Sequence, residues 1–386
     1  MDIGSHSIRL GFAGENRPQL VFPTLIGYPK YSSLLPDLET IIDNQIHEYY
    51  IGEETRPLRG ILRLINPVEC RLIVDWDAME KIWHHIFYYI LRIEPSVHPV
   101  LLTESPLNPA RNREKMAEIL FERFHVPAIC ISTSAALSLY ASGRTTGLVI
   151  DIGKNILHIV PIKKGVPITQ AIKRLEIGGQ DITKYLYRLL LERSIQAFGY
   201  TFSHPLNGVS YELAQDVKER CCYVALDPEK ELRLAETDSR IERQIYLRLM
   251  ESNLTISLER FLAPEVFFQQ EVMDRSTQPL HKAVNESIQK CDIALQSALY
   301  RNIVLSGGSS QFPGLGERLH NELTKLVPKT IGIRIIAPPE RKLTAWIGGA
   351  MLASHKTFPN ICLRDKEYRE QGSEIINSYS TRLPNV

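Results

Sequence analysis

Two short stretches of this chain alternate apolar and polar positions around the same turn. Asp2 to Phe12 reads DIGSHSIRLGF, and Asp151 to Pro161 reads DIGKNILHIVP. Each pattern predicts the end of a strand, a tight turn opened by Asp-Ile-Gly, and a second alternating strand. Laid over each other, Asp2 falls on Asp151, Gly4 on Gly153, Ile8 on Leu157 and Arg9 on His158. One Asp-x-Gly turn is an ordinary hairpin. Two of them, each opening a comparable block of chain, indicate a duplicated domain.

The remaining pattern alternates strands with amphipathic helices. Gln19 to Ile26 predicts a strand with a proline near its middle, hence an edge or a bulge, and Leu58 to Arg63 a further strand. Tyr28 to Tyr50, with two prolines and an acidic bias, predicts an exposed loop or small insert. Asp75 to Leu91 carries Met79, Ile82, Trp83, Ile86, Phe87 and Ile90 on one stripe, a helix capped by Asp75 or Asp77. Strands follow at Pro99 to Thr103 and Ala128 to Ser132, each before a helix: Asn112 to Phe124, capped by Asn112 or Asn108, and Ser134 to Tyr140, capped by Ser or Thr. That order predicts an α/β layer with a largely parallel sheet. In the second half, helices are expected at Asp181 to Ser194, Ser210 to Leu226 and, as one long amphipathic element, Gln278 to Leu299. Asp227 to Ser257 predicts exposed helix or irregular chain. Asn302 to Leu323 reads as strand, Gly-Gly turn and helix.

Length and charge narrow the classes. At 386 residues the chain suits two cores rather than one. Lys and Arg number 45 against 44 Asp and Glu, so no global charge draws it to nucleic acid or anionic membrane. No apolar run reaches the ~18–20 residues of a membrane span. The first residues lack the basic start and apolar core of a secretory signal. The six cysteines show no paired metal spacing, which fits a reduced cytosolic or nuclear setting.

The chemistry these turns suit is phosphate binding. Backbone N–H groups bared by glycine make an anion-binding concavity, and each Asp can hold the water shell of Mg²⁺. Gly307 and Gly308, between a strand and a helix, offer a third phosphate- or nucleoside-sized site. Phe312 can stack a base, though a core role is the simpler reading. Lys218 and Glu219 share one helix, where a charged pair is ordinarily a solvated face.

Over nearly its full length the chain resembles the actin superfamily, actin and the actin-related proteins. The matching segments are GFAGENRP (11–18), DWDAMEKIWHH (75–85), HPVLLTESPLNPARNREKMAEILFE (98–122), LSLYASGRTTGLVIDIG (137–153), KERCCYVALDPEKE (218–231), IVLSGGSSQFPGL (303–315) and IIAPPERKLTAWIGGAMLAS (335–354). The resemblance implies an α/β, actin-like ATPase fold. Two lobes, each on a ribonuclease-H-like mixed sheet flanked by helices, would hold a nucleotide in the cleft between them. On that pattern 1–141 plus 344–386 form the first lobe, with a small insert at about 24–66, and 142–343 the second, with an outer subdomain at about 178–275. It implies ATP or ADP with Mg²⁺ or Ca²⁺. Asp2, Gly4, Ser5 and Arg9 would form the first phosphate loop, and Asp151, Gly153, Lys154 and His158 the second. Asp2 and Asp151 would reach the metal through water, and Asp151 and His158 would serve the attacking water. Gly179, Lys218, Glu219, Gly308, Ser309, Phe312 and Lys342 would hold ribose and adenine.

The departures set the expected activity. Only Met1 precedes Asp2, so most of the strand that carries this Asp is absent, and Arg9 stands where the family has a phosphate-contacting Lys. Ser134 stands where actin has the glutamine that orients the hydrolytic water. Losing such a group typically costs ~10²–10⁴ in rate. Lys154 replaces an acid. Facing the phosphates at roughly 8 Å it is worth about 2 kcal/mol per unit charge, and facing solvent it does little. Cys70 replaces a modified histidine. The expected partner cleft keeps Tyr140, Gly143, Thr145, Leu352, Thr357 and Ile361 but has Val166 and His355 where actin is aromatic and apolar. The insert, the polar segment Phe267 to Leu280 and the terminal STRLPNV all differ from actin's filament surfaces. The implied function is an ATP-binding cytoskeletal subunit with weak hydrolysis, cytoplasmic and cytoskeletal. It would work through actin-type binding proteins, complex subunits or self-association at the 140–145/352–361 cleft, with no nucleic acid and no membrane span. The alternatives are a structural subunit of a dynactin-type or chromatin-remodelling complex, nuclear in the latter case, and a sugar-kinase- or chaperone-like ATPase.

Overall fold

The computed structural model describes residues 1–30, 47–198, 210–247, 252–269 and 278–379. The chain divides into two compact units, Met1–Thr145 with Lys164–Val166 and Leu343–Val386, and Thr146–Lys163 with Pro167–Lys342. Most of the expected insert (31–46), most of the polar segment after Phe267 (270–277) and the terminal STRLPNV (380–386) lie outside the described residues.

In the first unit β1 (Asp2–Ile3) and β2 (Ser7–Leu10) form the predicted hairpin, and β3 (Leu20–Pro23) pairs antiparallel to β2 as an edge strand. Pro23 ends β3, where a missing N–H costs no ladder bond. A second small sheet sets β4 (Ile26–Pro29) between β5 (Tyr50–Ile51) and β6 (Leu62–Ile65). The strand expected at Leu58 to Arg63 thus begins only at Leu62, since the residues before it turn back on themselves through Ile61 N–H to Leu58 O. β7 (Val68–Glu69) and β8 (Leu72–Ile73) close a two-residue hairpin.

The helix Trp76–His84 is capped by Asp75, whose carboxylate accepts from Ala78 N–H, and continues to Leu91 in wider π-type turns. Its stripe of Met79, Ile82, Trp83 and Ile86 is fully buried. β9 (Val100–Glu104) and β10 (Ala128–Thr133) run parallel, as the strand–helix order predicts. The intervening helix starts at Ala110 after Pro109, so neither Asn108 nor Asn112 caps it. Pro109 stops the chain from entering the helix earlier, and Asn108 is drawn to Glu104 instead.

The second unit is built on one mixed sheet. β11 (Gly147–Ile152) lies between antiparallel β12 (Leu157–Lys163) and parallel β17 (Ile303–Ser306), with β18 (Ile335–Ile336) beyond β17 and β14 (Lys173–Leu175) on β12. All six residues of β11 are buried, as expected of a strand covered on both faces. Helices Gly179–Phe198, Tyr211–Cys221, Leu280–Gln289 and Leu315–Leu326 supply its apolar cover.

Two expectations are corrected here. The element from Gln278 to Leu299 is two helices, Leu280–Gln289 and Ile293–Tyr300, parted at extended Asp292. Its apolar stripe changes phase there: Cys291 is buried while Ile293 is 87% exposed. The stretch from Asp227 to Ser257 has the expected exposed helix, Pro228–Thr237 capped by Asp227, but in place of irregular chain the described residues after it form an antiparallel pair, β15 (Arg243–Leu247) and β16 (Ser252–Ile256). Ile245, Leu254 and Ile256 anchor the hairpin while Tyr246 faces out, a half-buried alternation masked by its charged neighbours.

Candidate phosphate-binding hairpins

The two Asp-Ile-Gly turns close in the same way. In the first, Asp2 pairs with Arg9 and Ile3 with Ile8, and Gly4 N–H donates to Ser7 O at 3.2 Å. In the second, Asp151 pairs with His158 and Ile152 with Leu157, and Gly153 N–H donates to Ile156 O at 2.9 Å. In each unit a buried carboxylate therefore sits across from a basic residue, at the mouth of a turn whose glycine bares its backbone.

What holds the turns differs. The carbonyls of the first are taken by side chains and one amide. Thr24 Oγ1 donates to Gly4 O at 2.6 Å, Asn66 Nδ2 to Ser5 O at 2.7 Å, and Thr24 N–H to His6 O at 3.2 Å. With those oxygens fixed on one side, the peptide planes orient the turn's amides to the other. Asp2 is buried, with Oδ2 accepting from Arg9 Nη1 at 2.7 Å and Oδ1 from Thr103 Oγ1 at 2.8 Å. Burial alone would raise its pKa, but Arg9, then Arg71, then the Thr103 hydrogen bond outweigh it and leave the carboxyl below its ordinary value.

Arg71 went unnoticed in the sequence. Its backbone N–H donates to Ser5 Oγ at 2.8 Å and its Nη1 to Ser134 Oγ at 2.6 Å. Ser134, the first residue of the helix Ser134–Ala141 capped by Thr133, is buried. Cys70 and Arg71 form the β7–β8 turn, which the short apolar pairs on either side hint at without saying where the guanidinium goes.

The second turn is held by backbone. Gly153 O accepts from Gly179 N–H at 3.0 Å and Lys154 O from Gln180 N–H at 2.7 Å, so the first amides of the Gly179–Phe198 helix grip it. Glycines make that grip possible. A Cβ on Gly178 would lie 2.4 Å from Lys154 O, and one on Gly307, which has φ +89°, 2.3 Å from Ile152 O. A Cβ on Gly179 would lie 2.2 Å from Ser309 Oγ, whereas Gly308 faces open space.

Lys218 is not on a solvated face. It is buried, donating to Gly179 O at 3.0 Å and Thr183 Oγ1 at 2.9 Å, both neutral acceptors. Its pKa is lowered, first by burial; Glu219 and Cys222 push back, and Lys154 adds to the lowering. Lys154 is itself half-buried and lowered by desolvation, so it does not face open solvent. Two lysines thus share one neighbourhood in this unit, beside turn and glycine cradle. Helical phase could have separated Lys218 from its neighbour, since Ala214 and Val217 on its own face are buried while Glu219 is exposed and takes a bond from Gln215. Phe312 is 8% exposed and meets Phe267 edge-on at 6.3 Å, a core contact. Lys342 is exposed.

Of the expected partner cleft, Leu352 and Ile361 belong to a buried cluster with Cys130, Leu137, Phe358 and Cys362. Gly143 and His355 are exposed, as is Val166 at 44%. The helices Ser134–Ala141 and Thr344–Ala353 pack so closely that a Cβ on Gly348 would lie 1.9 Å from Leu137 O. A family model described as Actin matches residues 1–381 of the chain.

Proposed function

From the chain's membership of the actin family, whose mixed α/β fold it carries, we propose that it is an ATP-binding, actin-like cytoskeletal subunit that hydrolyses ATP weakly and works through protein contacts. The observation that carries this reading is the repeated hairpin: one turn in each compact unit, with the same register and the same glycine closure. The residues suit an anionic nucleotide. Lys218 is buried and donates to two neutral acceptors, so a phosphate or ribose oxygen beside it offsets part of its burial cost. Gly308 leaves room that a side chain would fill.

In this reading Asp2, Gly4, Ser5 and Arg9 hold phosphate from the first unit, and Asp151, Gly153, Lys154 and His158 from the second. Gly179, Lys218, Ser309 and the 308 turn receive the nucleoside, with Glu219 and Lys342 at its edge. A phosphate-bound Mg²⁺ or Ca²⁺ supplies charge neutralisation, and Asp2 and Asp151 hold its water. Asp2 is already matched by Arg9, so its share of that work is reduced. Weak turnover follows from Ser134, whose hydroxyl accepts from Arg71 in place of a long amide aimed at water. Among the described residues no helix is long and apolar enough to cross a membrane. A cytoplasmic, cytoskeletal setting belongs to the same proposal.

The test is to extract nucleotide from the purified chain, measure its melting with Mg-ATP, follow phosphate release and pellet it with ATP and Mg²⁺. Bound ATP or ADP, a raised melting temperature and slow release are expected. Absence of both nucleotide and shift overturns the reading. Binding without pelleting shifts the assignment to a structural subunit of a larger complex, a reading the Arg71–Ser134 contact favours because it suits holding over turnover.

A further inference from the structure

The cysteines show no paired spacing along the sequence, yet two of them meet in the fold. β10 pairs antiparallel with a two-residue strand, Leu363–Arg364, setting Ala128 opposite Arg364 and Ile129 opposite Leu363. One step further along the same register stand Cys130 and Cys362, and Cys362 is still extended, with φ −85° and ψ 139°. The ladder also fixes what kind of pair they form. Asp365 N–H donates to Pro127 O at 3.1 Å, so 127 and 365 face each other as a hydrogen-bonded pair. Alternation then makes 130 and 362 a non-hydrogen-bonded pair. Opposed Cα atoms approach to about 4.5 Å in such a pair, within the ~4.4–6.8 Å that a disulfide spans.

Both thiols are buried in one apolar cluster with Leu137, Leu352, Phe358 and Ile361. Cys362 Sγ donates to Phe358 O at 3.2 Å. A hydrogen bond with the Cys362 thiol, and then burial, push the Cys130 thiol well above its ordinary value. The two side chains are thus in contact, and the reduced pair holds little thiolate, which keeps it slow to react. Access comes from the sheet edge. Leu363–Arg364 is the outermost strand of its three-stranded sheet and is held there by two residue pairs, so local opening reaches the thiols without unfolding the unit. Neither cysteine has a part in the hairpins or in the nucleotide reading.

We propose that Cys130 and Cys362 are a reversible dithiol–disulfide site, oxidised by peroxide, whose disulfide ties the chain after Phe358 to β10. One thiol sulfur attacks hydrogen peroxide and breaks its O–O bond, giving a sulfenic acid, while the displaced hydroxide takes the thiol proton and leaves as water. The second sulfur attacks the sulfenic sulfur and forms the S–S bond. Its proton goes to the departing oxygen, which leaves as a second water. Two thiols and one peroxide therefore yield one disulfide and two waters, with sulfur oxidised and peroxide oxygen reduced. Contact between the two side chains captures the sulfenic acid before further oxidation, and in a reducing compartment thiols reverse the bond. Leu352 and Ile361 share this cluster and belong to the expected partner cleft, so oxidation stiffens that surface.

Peroxide treatment of the folded full chain, well below its melting temperature, tests the site. The sample is alkylated, digested and mapped by mass spectrometry. A Cys130–Cys362 cross-linked peptide that dithiothreitol returns to two thiols is expected. Melting should rise by roughly 5 °C or more, because the closed loop is long. Cys362→Ala is expected to lose the cross-link and the melting shift together, and the mapping itself uses the unmutated chain. The half-buried Cys70 and Cys221 serve as the internal control for oxidant. If they are oxidised while Cys130 and Cys362 stay reduced, or join other cysteines, the proposal is overturned. A cross-link that leaves melting unchanged overturns it too, since the bond then ties nothing down.

Discussion

The two hairpins share an Asp-Ile-Gly corner and the same backbone register, yet one is held by side chains and the other by main chain. Around the first, Thr24, Asn66 and Arg71 reach in from separate elements, and β1 is only two residues long. Around the second, β11 is paired on both sides in the large sheet, and the 179–198 helix grips the turn through its first amides. A turn held by side chains fails when a polar atom is deleted, whereas a turn held by close backbone approach fails when an atom is added. The same closed turn is thus reached twice by different physics, and substitutions separate the two.

The largest expected effect is Gly307→Ala. Its φ of +89° with ψ of 154° is a region essentially reserved for glycine, and the new Cβ would meet Ile152 O at 2.3 Å and Asp151 Oδ1 at 2.6 Å. Strain and overlap together should cost ~4 kcal/mol or more. At about 2–4 °C per kcal/mol for a unit of this size, melting falls by roughly 10 °C. A glycine change in the first turn, Gly4→Ala, meets Ser7 O at 3.1 Å and Arg9 Nη1 at 3.6 Å and should cost about 1 kcal/mol. Calorimetric melting of both variants checks the contrast, and equal losses would break it.

Next comes Arg9→Ala, which leaves Asp2 buried with Thr103 and the field of Arg71. Removing one partner of a buried pair costs ~3–5 kcal/mol, and Arg71 should hold the loss near ~3. The pH dependence has a definite sign. The folded pKa of Asp2 lies below its unfolded value, so the paired carboxylate contributes fully above the unfolded pKa of ~3.9 and loses that contribution as pH falls through the folded value. The stability gap between the parent and Asp2→Asn should be flat from neutral pH to about pH 4 and close below it. Urea unfolding at stepped pH reads this directly.

How much of this was visible beforehand depended on the range of the interaction. Both hairpins were legible because register and turn type are local, set by alternation and an Asp-x-Gly corner. The fold was legible through long matching segments such as 98–122 and 335–354, and the family match over 1–381 agrees. Lys218 misled because a charge on a helix reads as solvated, and only packing of the Gly179 carbonyl onto it buries it. Gly178 and Gly307 gave no sign of their contacts, since the oxygens they would strike are contributed by Lys154 and Ile152, distant in sequence. Arg71 was hidden for the same reason, its partners Ser5 and Ser134 lying 66 and 63 positions away. The break at Asp292 was local but subtle, a change of helical phase inside an otherwise continuous amphipathic run.

A smaller effect is expected at Thr24, whose hydroxyl reaches Gly4 O at 2.6 Å. Thr24→Val keeps the shape and leaves a buried carbonyl short of one donor, at ~1–2 kcal/mol. The Gly153 and Lys154 carbonyls of the second turn are held instead by the main-chain N–H groups of Gly179 and Gln180, which a side-chain deletion leaves in place. Denaturant midpoints for Thr24→Val should therefore fall while nucleotide contacts on the second unit are unaffected.

The smallest change in stability is predicted for Lys218→Met, and it is the sharpest test of what the second unit is for. Burial lowers the pKa of Lys218 below its unfolded value, so folding carries a penalty for the charge at every pH below the folded pKa. That penalty is relieved as pH rises from the folded pKa toward the unfolded value of ~10.4. Methionine fills a similar volume without the charge, but it forfeits the bonds to Gly179 O and Thr183 Oγ1. The two effects oppose, and the ligand-free variant should lie within about 1 kcal/mol of the parent at neutral pH, with a flatter rise in alkali. The melting shift produced by Mg-ATP should nevertheless shrink sharply, because the variant lacks the cation that the proposed site sets beside the anion. A loss of several kcal/mol without ligand would make Lys218 a structural hub, and an undiminished nucleotide shift would remove it from the site.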